Sequence, residues 1–269
     1  MSAHPCWLLR SAGPKKDAGP RPVSSYREKQ STLFHQDAFQ GSPHTGRILF
    51  IYTVFIVYAE LHCLTHYSFL RGASAPEELV GRAANCGYHA LAITDECSLA
   101  GVVKAHVAAK ELGLKLIVGS EFTLTEGIRL VALAPSREAY GELSGLISRA
   151  RRRSGKGEYR VHLRDVIFHL KRCLLILLPN DTDNQTVHLQ QLARRCKGRV
   201  WIVISRLLGN DEWRRFKHCY HMAQNLQVPM VACGEVQMHS AKRKALHDVL
   251  TAIRLQTPVQ QLGHRRLIN

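Results

Sequence analysis

The sequence predicts an α/β barrel with about seven strands. Short apolar runs, typical of buried strands, alternate with segments in which apolar residues recur at helical spacing. The clearest repeat lies between Ala90 and Phe122, where ALAITDECSLAGVVKAHVAAKELGLKLIVGSEF predicts a strand, a helix and a second strand. Two parallel strands joined in this way form a right-handed unit, and their carboxyl ends meet at the edge where α/β folds place their sites.

The alternation continues along most of the chain and favours a barrel over an open sheet. The predicted strands are Ala59–Cys63, His89–Thr94, Lys115–Gly119, Arg129–Ala134, Cys173–Leu178, Val200–Ser205 and Val228–Cys233. The predicted helices are Ala75–Asn85, Ser98–Leu112, Ser136–Arg152, Asn184–Cys196, Asp211–Asn225 and Ala241–Arg254. Lys156–Leu170 is predicted to be a less regular insertion.

The first 57 residues differ in composition from the rest. Residues 1–46 are rich in Pro, Gly, Ser and basic residues, which is typical of a disordered leader. The apolar run Ile48–Ala59 is shorter than the roughly 20 residues of a membrane helix, so a β-prone segment is predicted, with a membrane anchor as the alternative. The predicted organisation is therefore a disordered or non-native leader, 1–57, and one folded domain, 58–269.

The net charge of +16 is concentrated towards the C-terminus. Residues 149–269 contain 23 Lys and Arg against 8 Asp and Glu, whereas residues 58–148 contain 7 against 10. Such a basic region suggests a nucleic-acid partner, although a solvated basic surface explains the charge equally well. The candidate phosphate contacts lie at and just after the end of a predicted helix: Arg149, Arg151, Arg152, Arg153 and Lys156.

The eight cysteines form no Cys-x-x-Cys pair, which favours free thiols over a disulfide framework. Thiols of this kind are typical of a reducing compartment. The predicted location is therefore the cytoplasm.

Several ordered motifs resemble the N-terminal PHP (polymerase and histidinol phosphatase) domain of bacterial C-family error-prone DNA polymerases, paralogues of the polymerase III alpha subunit. They are YAELHCLTHYSFLRG at 58–72, AITDECSLAG at 92–101, IVGSEF at 117–122, LSGLISRARRR at 143–153 and HDVLTAIR at 247–254. The resemblance covers roughly residues 58–269. It implies a PHP-type distorted (β/α)7 barrel.

The resemblance also implies a metal site, because active PHP domains hold divalent ions with His, Asp and Glu at the strand ends. Here Leu64, Arg71 and Arg129 stand where the family has His, Asp and His, and Glu96 and Gln237 also replace histidines. An arginine cannot deprotonate, and at about 4 Å it opposes a divalent ion by roughly 8 kcal/mol. Loss of the metals is therefore the preferred interpretation.

The predicted site is a vestigial one, without a catalytic residue or a metal. It comprises His62, Arg71, Asp95, Glu96, Glu121, Arg129 and Glu235. We expect Glu96, Glu121 and Glu235 to converge at the barrel mouth, with Arg129 paired to Glu121 or Glu96 in place of a metal. The alternative is a single metal held by His62 and the three glutamates.

As to function, the resemblance implies the PHP domain of a polymerase that acts in damage-induced mutagenesis and translesion DNA synthesis. The domain itself is expected to be an inactive scaffold that needs no cofactor, while the parent polymerase uses Mg²⁺ in its palm. DNA, through the full-length polymerase, and other mutagenic repair proteins are the expected partners, with no membrane. The alternatives are a metal-dependent phosphoesterase and a stand-alone interaction module for repair proteins.

Overall fold

The computed structural model describes residues 58–179, 186–205 and 212–267. The leader predicted for residues 1–57 lies outside these ranges. So do Asn184 and Asp211, the predicted first residues of two helices. The predictions made for these residues stay predictions.

A sheet of seven strands, ordered as in the sequence, forms the centre of the domain. The strands are β1 Ala59–Glu60, β2 Ala90–Ile93, β3 Lys115–Thr123, β4 Arg129–Ala134, β5 Leu174–Leu178, β6 Val200–Ile204 and β7 Met230–Ala232. All neighbouring strands are parallel except β4, which runs antiparallel to both β3 and β5. The hairpin pairing with β4 extends β3 to Thr123, past the predicted end at Gly119.

The two edges of the sheet meet just beyond β1 and β7. Cys63 bridges Val236, and the amide of Leu64 donates to the Val236 carbonyl at 2.8 Å. The buried carboxylate of Glu60 accepts from the amide of Gly234, where a Cβ atom would lie 2.5 Å from Glu60 Oε2. The sheet therefore curls into the predicted distorted barrel, in which the predicted strand Ala59–Cys63 is a short strand followed by an isolated bridge.

Helices cover the outside of the sheet. They are α1 Pro76–Asn85, α2 Val102–Leu112, α3 Arg137–Arg152, α4 Leu163–His169, α5 Thr186–Arg195, α6 Glu212–Leu226 and α7 Lys244–Leu255. Single turns of 3-10 helix occupy Ala241–Arg243, Val259–Gln261 and Gly263–Arg265. Local signals set several ends: Ser136 caps α3 through the Ala139 amide, and Gly113 ends α2 in the left-handed region.

The segment Lys156–Leu170, predicted to be less regular than the rest, contains the short helix α4, which was not predicted. This helix has only seven residues, too few to show a helical period in the sequence. Asp165 stabilises its start by accepting from the His162 amide at 3.0 Å, while Leu163 and Val166 are buried against the core.

The core has three parts, one inside the barrel and two between the sheet and its helices. Side chains such as Ala92, Val131 and Ile176 fill the interior. The larger outer cluster joins β3–β6 to α3–α6, and the smaller one joins β2 to α1 and α2. Burying each Leu or Ile contributes about 1.5–3 kcal/mol. Across the described ranges, no helix combines the length and apolar character needed to cross a bilayer.

Candidate functional site

The loop from Thr65 to Gly72 is fixed by the buried carboxylate of Asp95, two residues after the end of β2. Asp95 accepts hydrogen bonds from the amide of Thr65 at 2.8 Å, from its hydroxyl at 2.8 Å and from the hydroxyl of Ser68 at 2.7 Å. A Cβ atom at position 72 would lie 2.0 Å from the Thr65 carbonyl oxygen, so the loop requires Gly72. Burial raises the pKa of Asp95, and these hydrogen bonds oppose the rise. The loop presents Arg71 to the barrel mouth.

Glu121 is the centre of the mouth and is fully buried. It lies within β3, and its carboxylate is bound from three sides. His62 Nε2 lies 2.8 Å from Oε2, Arg71 donates to both oxygens at 3.0 and 3.2 Å, and Arg129 Nη2 donates to Oε1 at 3.0 Å. Burial raises the pKa of Glu121, but the bonds and charges of His62, Arg71 and Arg129 outweigh it and bring the pKa well below its ordinary value.

Arg71 links the two carboxylates of the site. Its Nη1 donates to Glu96 Oε2 at 2.7 Å as well as to Glu121, and β-type pairing brings Glu96 and Glu121 side by side. The hydroxyl of Tyr159 donates to the other Glu96 oxygen at 2.9 Å. Burial lowers the pKa of Arg71, but the two glutamates outweigh it and raise the pKa above its usual range. The expected pairing of Arg129 with Glu121 is present in this geometry.

Two residues that the sequence analysis did not select also belong to the mouth. Burial lowers the pKa of Arg254 on α7. The nearby positive charges of Arg71 and Arg129 lower it further. A signal for it existed, because Arg254 shares a helix face with the buried His247 and Thr251 at helical spacing. Tyr159, in contrast, lies in an irregular segment where no sequence pattern indicates it.

Glu235 does not join the other two glutamates. It lines a small cavity with Arg215, Phe216 and His218, and among the described residues no hydrogen bond or ion pair links it to the Glu121 cluster. The chain turns sharply after β7, with Glu235 in the left-handed region at φ 50°. This turn gives the side chain a direction that a simple strand end would not give. The expected convergence is therefore found for Glu96 and Glu121 only.

Two residues of the predicted basic segment, Arg151 and Arg153, contact other parts of the domain. Arg151 donates to the backbone oxygens of Cys97 and Glu96 at 3.2 and 3.3 Å and stacks over the Tyr159 ring. Arg153 pairs with Asp165 at 2.5 Å. Both side chains thus have intramolecular partners, which does not test their predicted contact with phosphates.

The three others lie on the surface. They are Arg149, which contacts His169, and Arg152 and Lys156, which are exposed. Their contact with nucleic acid stays a prediction.

Residues 60–208, more than half of the chain, match the PHP domain family. The chain belongs to the PHP domain family. It is 56% identical over 209 residues to an error-prone DNA polymerase of Saccharophagus degradans, and 49% identical over 210 residues to that of Teredinibacter turnerae. These matches cover 77% and 78% of this chain but 20% of each relative, so the chain spans about one-fifth of their length.

The PHP domain is also similar to solved structures. One is described as a metal-dependent phosphoesterase from Bifidobacterium adolescentis, with a TM-score of 0.49 and 17% identity. The superposition covers 68% of this chain and 88% of that one.

The mouth of this PHP domain does not fit the divalent metals that its family resemblance implies. A carboxylate offers about four acceptor positions, and three nitrogens already contact Oε1 of Glu121 while two contact Oε2. The guanidinium of Arg71 lies between the two glutamates that a metal would have to bridge. Within the described ranges, no group of three or more His, Cys, Asp or Glu side chains is arranged to hold a metal ion.

Proposed function

We propose that this chain is the N-terminal PHP domain of an error-prone DNA polymerase and that the domain serves as a scaffold. The named relatives support the first part, since they are error-prone DNA polymerases that are up to 56% identical to this chain. In this proposal the polymerase acts in translesion synthesis during damage-induced mutagenesis, in the cytoplasm. Its nucleotidyl transfer, its Mg²⁺ requirement, its main DNA contacts and its binding of other mutagenic repair proteins belong to the full-length polymerase.

The observation that carries the scaffold role is the saturated carboxylate of Glu121. Its partners come from three separate segments: the chain following β1, the Thr65–Gly72 loop and β4. Arg71 adds Glu96, which follows β2. Ion pairs of this kind contribute little net stability, but they fix the relative positions of the strands they join, because separating one partner leaves a buried charge. In this proposal the ion pairs of the mouth hold the surrounding segments together, as a metal cluster would, but they do not hydrolyse phosphoesters.

A second surface supports a place within a larger protein. Leu246, Val249 and Ile253 are exposed on α7 at helical spacing, and Leu246 lines a groove together with Phe69, which is 82% exposed. Contiguous exposed apolar side chains mark interaction surfaces. Because the relatives are about five times as long as the stretch they share with this chain, the occupant we propose is the polymerase region beyond the shared segment.

Metal content tests the scaffold proposal. The purified chain is dialysed against Zn²⁺ or Mn²⁺ and then desalted. We expect elemental mass spectrometry to find far less than one metal ion per protein molecule. It should hydrolyse p-nitrophenyl phosphate no faster than a His62→Ala variant. Stoichiometric metal, with hydrolysis abolished by His62→Ala, would instead establish the phosphoesterase alternative.

Primer extension tests the polymerase proposal. The isolated chain should not extend a primer, whereas the product of the complete reading frame should extend one past an abasic site. Template-directed incorporation by residues 1–269 alone contradicts the scaffold role. A reading frame without polymerase motifs beyond this region favours the stand-alone interaction module.

A further inference from the structure

A ladder of aromatic rings lies along α6. Trp213 and Phe216 are stacked with their ring centroids 5.3 Å apart and their planes 8° apart. Phe216 and Tyr220 continue the stack at 6.4 Å and 17°. The rings follow one another at helical spacing, three and four residues apart, and therefore form one nearly parallel series. We call Trp213, Phe216 and Tyr220 the α6 ladder.

α6 packs on the barrel mainly through the buried Ala223 with Cys219, Met222 and Leu226, which contact the large outer core. Among the ladder residues, Phe216 also lines the small cavity beside β6, together with Val203 and Cys219. Trp213 and Tyr220 are 65% and 44% exposed, and Phe216 lies half-buried between them. Because α6 is already anchored by its other face, the exposed rings are not required for the packing of this helix.

The charge around the ladder is positive. Within Glu212–Leu226 there are three basic residues and one acidic residue, and Lys217 Nζ lies 5.5 Å from the centroid of the Trp213 ring. Arg215 and the acidic Glu235 line the small cavity beside Phe216, so Arg215 and Lys217 of α6 itself supply the positive charge nearest the ladder. The surface therefore combines flat aromatic faces with cations, the two elements used by proteins that bind single-stranded nucleic acids.

We propose that the α6 ladder is a binding site for single-stranded nucleic acid. The outer rings stack on unpaired bases, and Lys217 contacts the phosphates. A duplex fits less well because its bases already stack on one another and present no free faces. This binding site depends neither on the metal content of the barrel mouth nor on polymerase activity. The nucleic-acid proposal and the proposed function can therefore fail independently.

Binding of a labelled 20-nucleotide oligothymidine to the full chain, followed by fluorescence anisotropy, tests the proposal. Stacking predicts that Trp213→Ala and Tyr220→Ala each weaken binding about 5- to 100-fold. Phe168→Ala is the matched control, because Phe168 is 66% exposed on α4 and lies outside the ladder. It should leave the affinity within about twofold. Circular dichroism and thermal unfolding establish that each variant is folded.

A second measurement does not depend on substitutions that remove a ring. The fluorescence of Trp213 should be quenched by oligothymidine, and this component should disappear in Trp213→Phe, while binding remains within about tenfold. Lys217→Gln should lower both the affinity and its salt dependence. Oligouridine should compete with oligothymidine, since stacking does not read the sugar.

Three results would overturn the proposal. One is equal affinity of wild type, Trp213→Ala and Phe168→Ala for oligothymidine. Another is equally tight binding of a 20-base-pair duplex, which would indicate charge alone. The third is ladder-dependent binding to anionic phosphatidylserine vesicles without binding to oligothymidine, which would assign the rings to a lipid surface.

Discussion

Asp95, which follows β2, and Glu121, which lies in the neighbouring strand β3, are two fully buried carboxylates, yet their partners differ in kind. Asp95 is surrounded by neutral donors, an amide and two hydroxyls, and its pKa is raised by burial. Glu121 is surrounded by guanidinium groups and an imidazole, and its pKa is lowered although burial opposes this. Burial alone therefore does not set the pKa of a carboxylate; the charge of its partners does.

The comparison also assigns different roles to the two groups. Asp95 fixes the conformation of the loop that carries Arg71, so it determines where the Arg71 guanidinium lies. Glu121 binds that guanidinium and compensates its positive charge. Variants that alter one carboxylate should therefore not reproduce the effects of altering the other.

The largest expected effect follows from removing the shared cation. Arg71→Met should lower the free energy of unfolding by about 3–5 kcal/mol, because it leaves Glu121 buried with less compensating charge. Urea unfolding followed by circular dichroism measures this loss. Adding Glu121→Gln to Arg71→Met should recover part of it by removing the stranded charge. The exposed Arg152→Met is the control, expected within about 0.5 kcal/mol of wild type, and a similar value for Arg71→Met would refute the buried pairing.

The two carboxylates should change the pH dependence of the unfolding free energy in opposite directions. Glu121 has a folded-state pKa below the ordinary value of 4.5, so its contribution to stability is present above about pH 4.5 and is lost as the pH falls further. Asp95 has a raised folded-state pKa, so its contribution is present at low pH and is lost as the pH rises through that value. Each pKa unit corresponds to about 1.4 kcal/mol.

Two variants measure these opposite signs. Between pH 5 and pH 3, the decline in unfolding free energy should be shallower in Glu121→Gln than in wild type, and steeper in Asp95→Asn. Parallel curves for all three proteins would show that neither group titrates differently on folding.

At pH 7 the geometric role of Asp95 should give a smaller effect. Asp95→Asn replaces one acceptor oxygen by an amide nitrogen that faces hydroxyl and amide donors, at a cost of about 1–3 kcal/mol. Glu111→Gln on the exposed side of α2 is the matched control. Chemical denaturation distinguishes the two, and equal stability of both variants would argue against the role of Asp95 in the loop.

The smallest effect is expected for Tyr159→Phe. Its hydroxyl donates to Glu96 and accepts from the Thr123 amide, and losing these bonds should reduce stability by about 1 kcal/mol. Tyr140→Phe is suited as the control because Tyr140 is 42% exposed and its hydroxyl makes no hydrogen bond within the described ranges. Indistinguishable thermal unfolding of the two variants would show that the hydrogen bond from Tyr159 to Glu96 does not contribute to stability.

Most of the fold could be predicted because strands and helices of ordinary length leave a period in the sequence. The unit from Ala90 to Phe122 is an example, with β2 and β3 parallel and α2 between them. The extension of β3 could not be foreseen, since it depends on hairpin pairing with β4 and not on the residues of β3 alone. The short α4 was missed because seven residues are too few to establish a period.

The site was predictable where a motif fixes both residue type and strand position. Arg129 and Glu121 occupy ligand positions of the PHP motifs, so the family resemblance predicted their proximity, and in the structure they lie on the paired strands β3 and β4. Glu235 could not be placed in this way, because its direction depends on a left-handed turn. Arg151 looked like a surface cation by composition, and only the tertiary structure shows that it binds backbone oxygens.

The bond between Glu60 and Gly234 has a consequence for synthesis on the ribosome. The two residues are 174 positions apart, so at about 5–20 residues per second the first strand waits roughly 10–35 s for its partner to emerge. During that interval one edge of the nascent sheet has unpaired amide and carbonyl groups, open to pairing with another chain. A nascent chain of this domain should therefore depend on chaperones until its last quarter has left the exit tunnel.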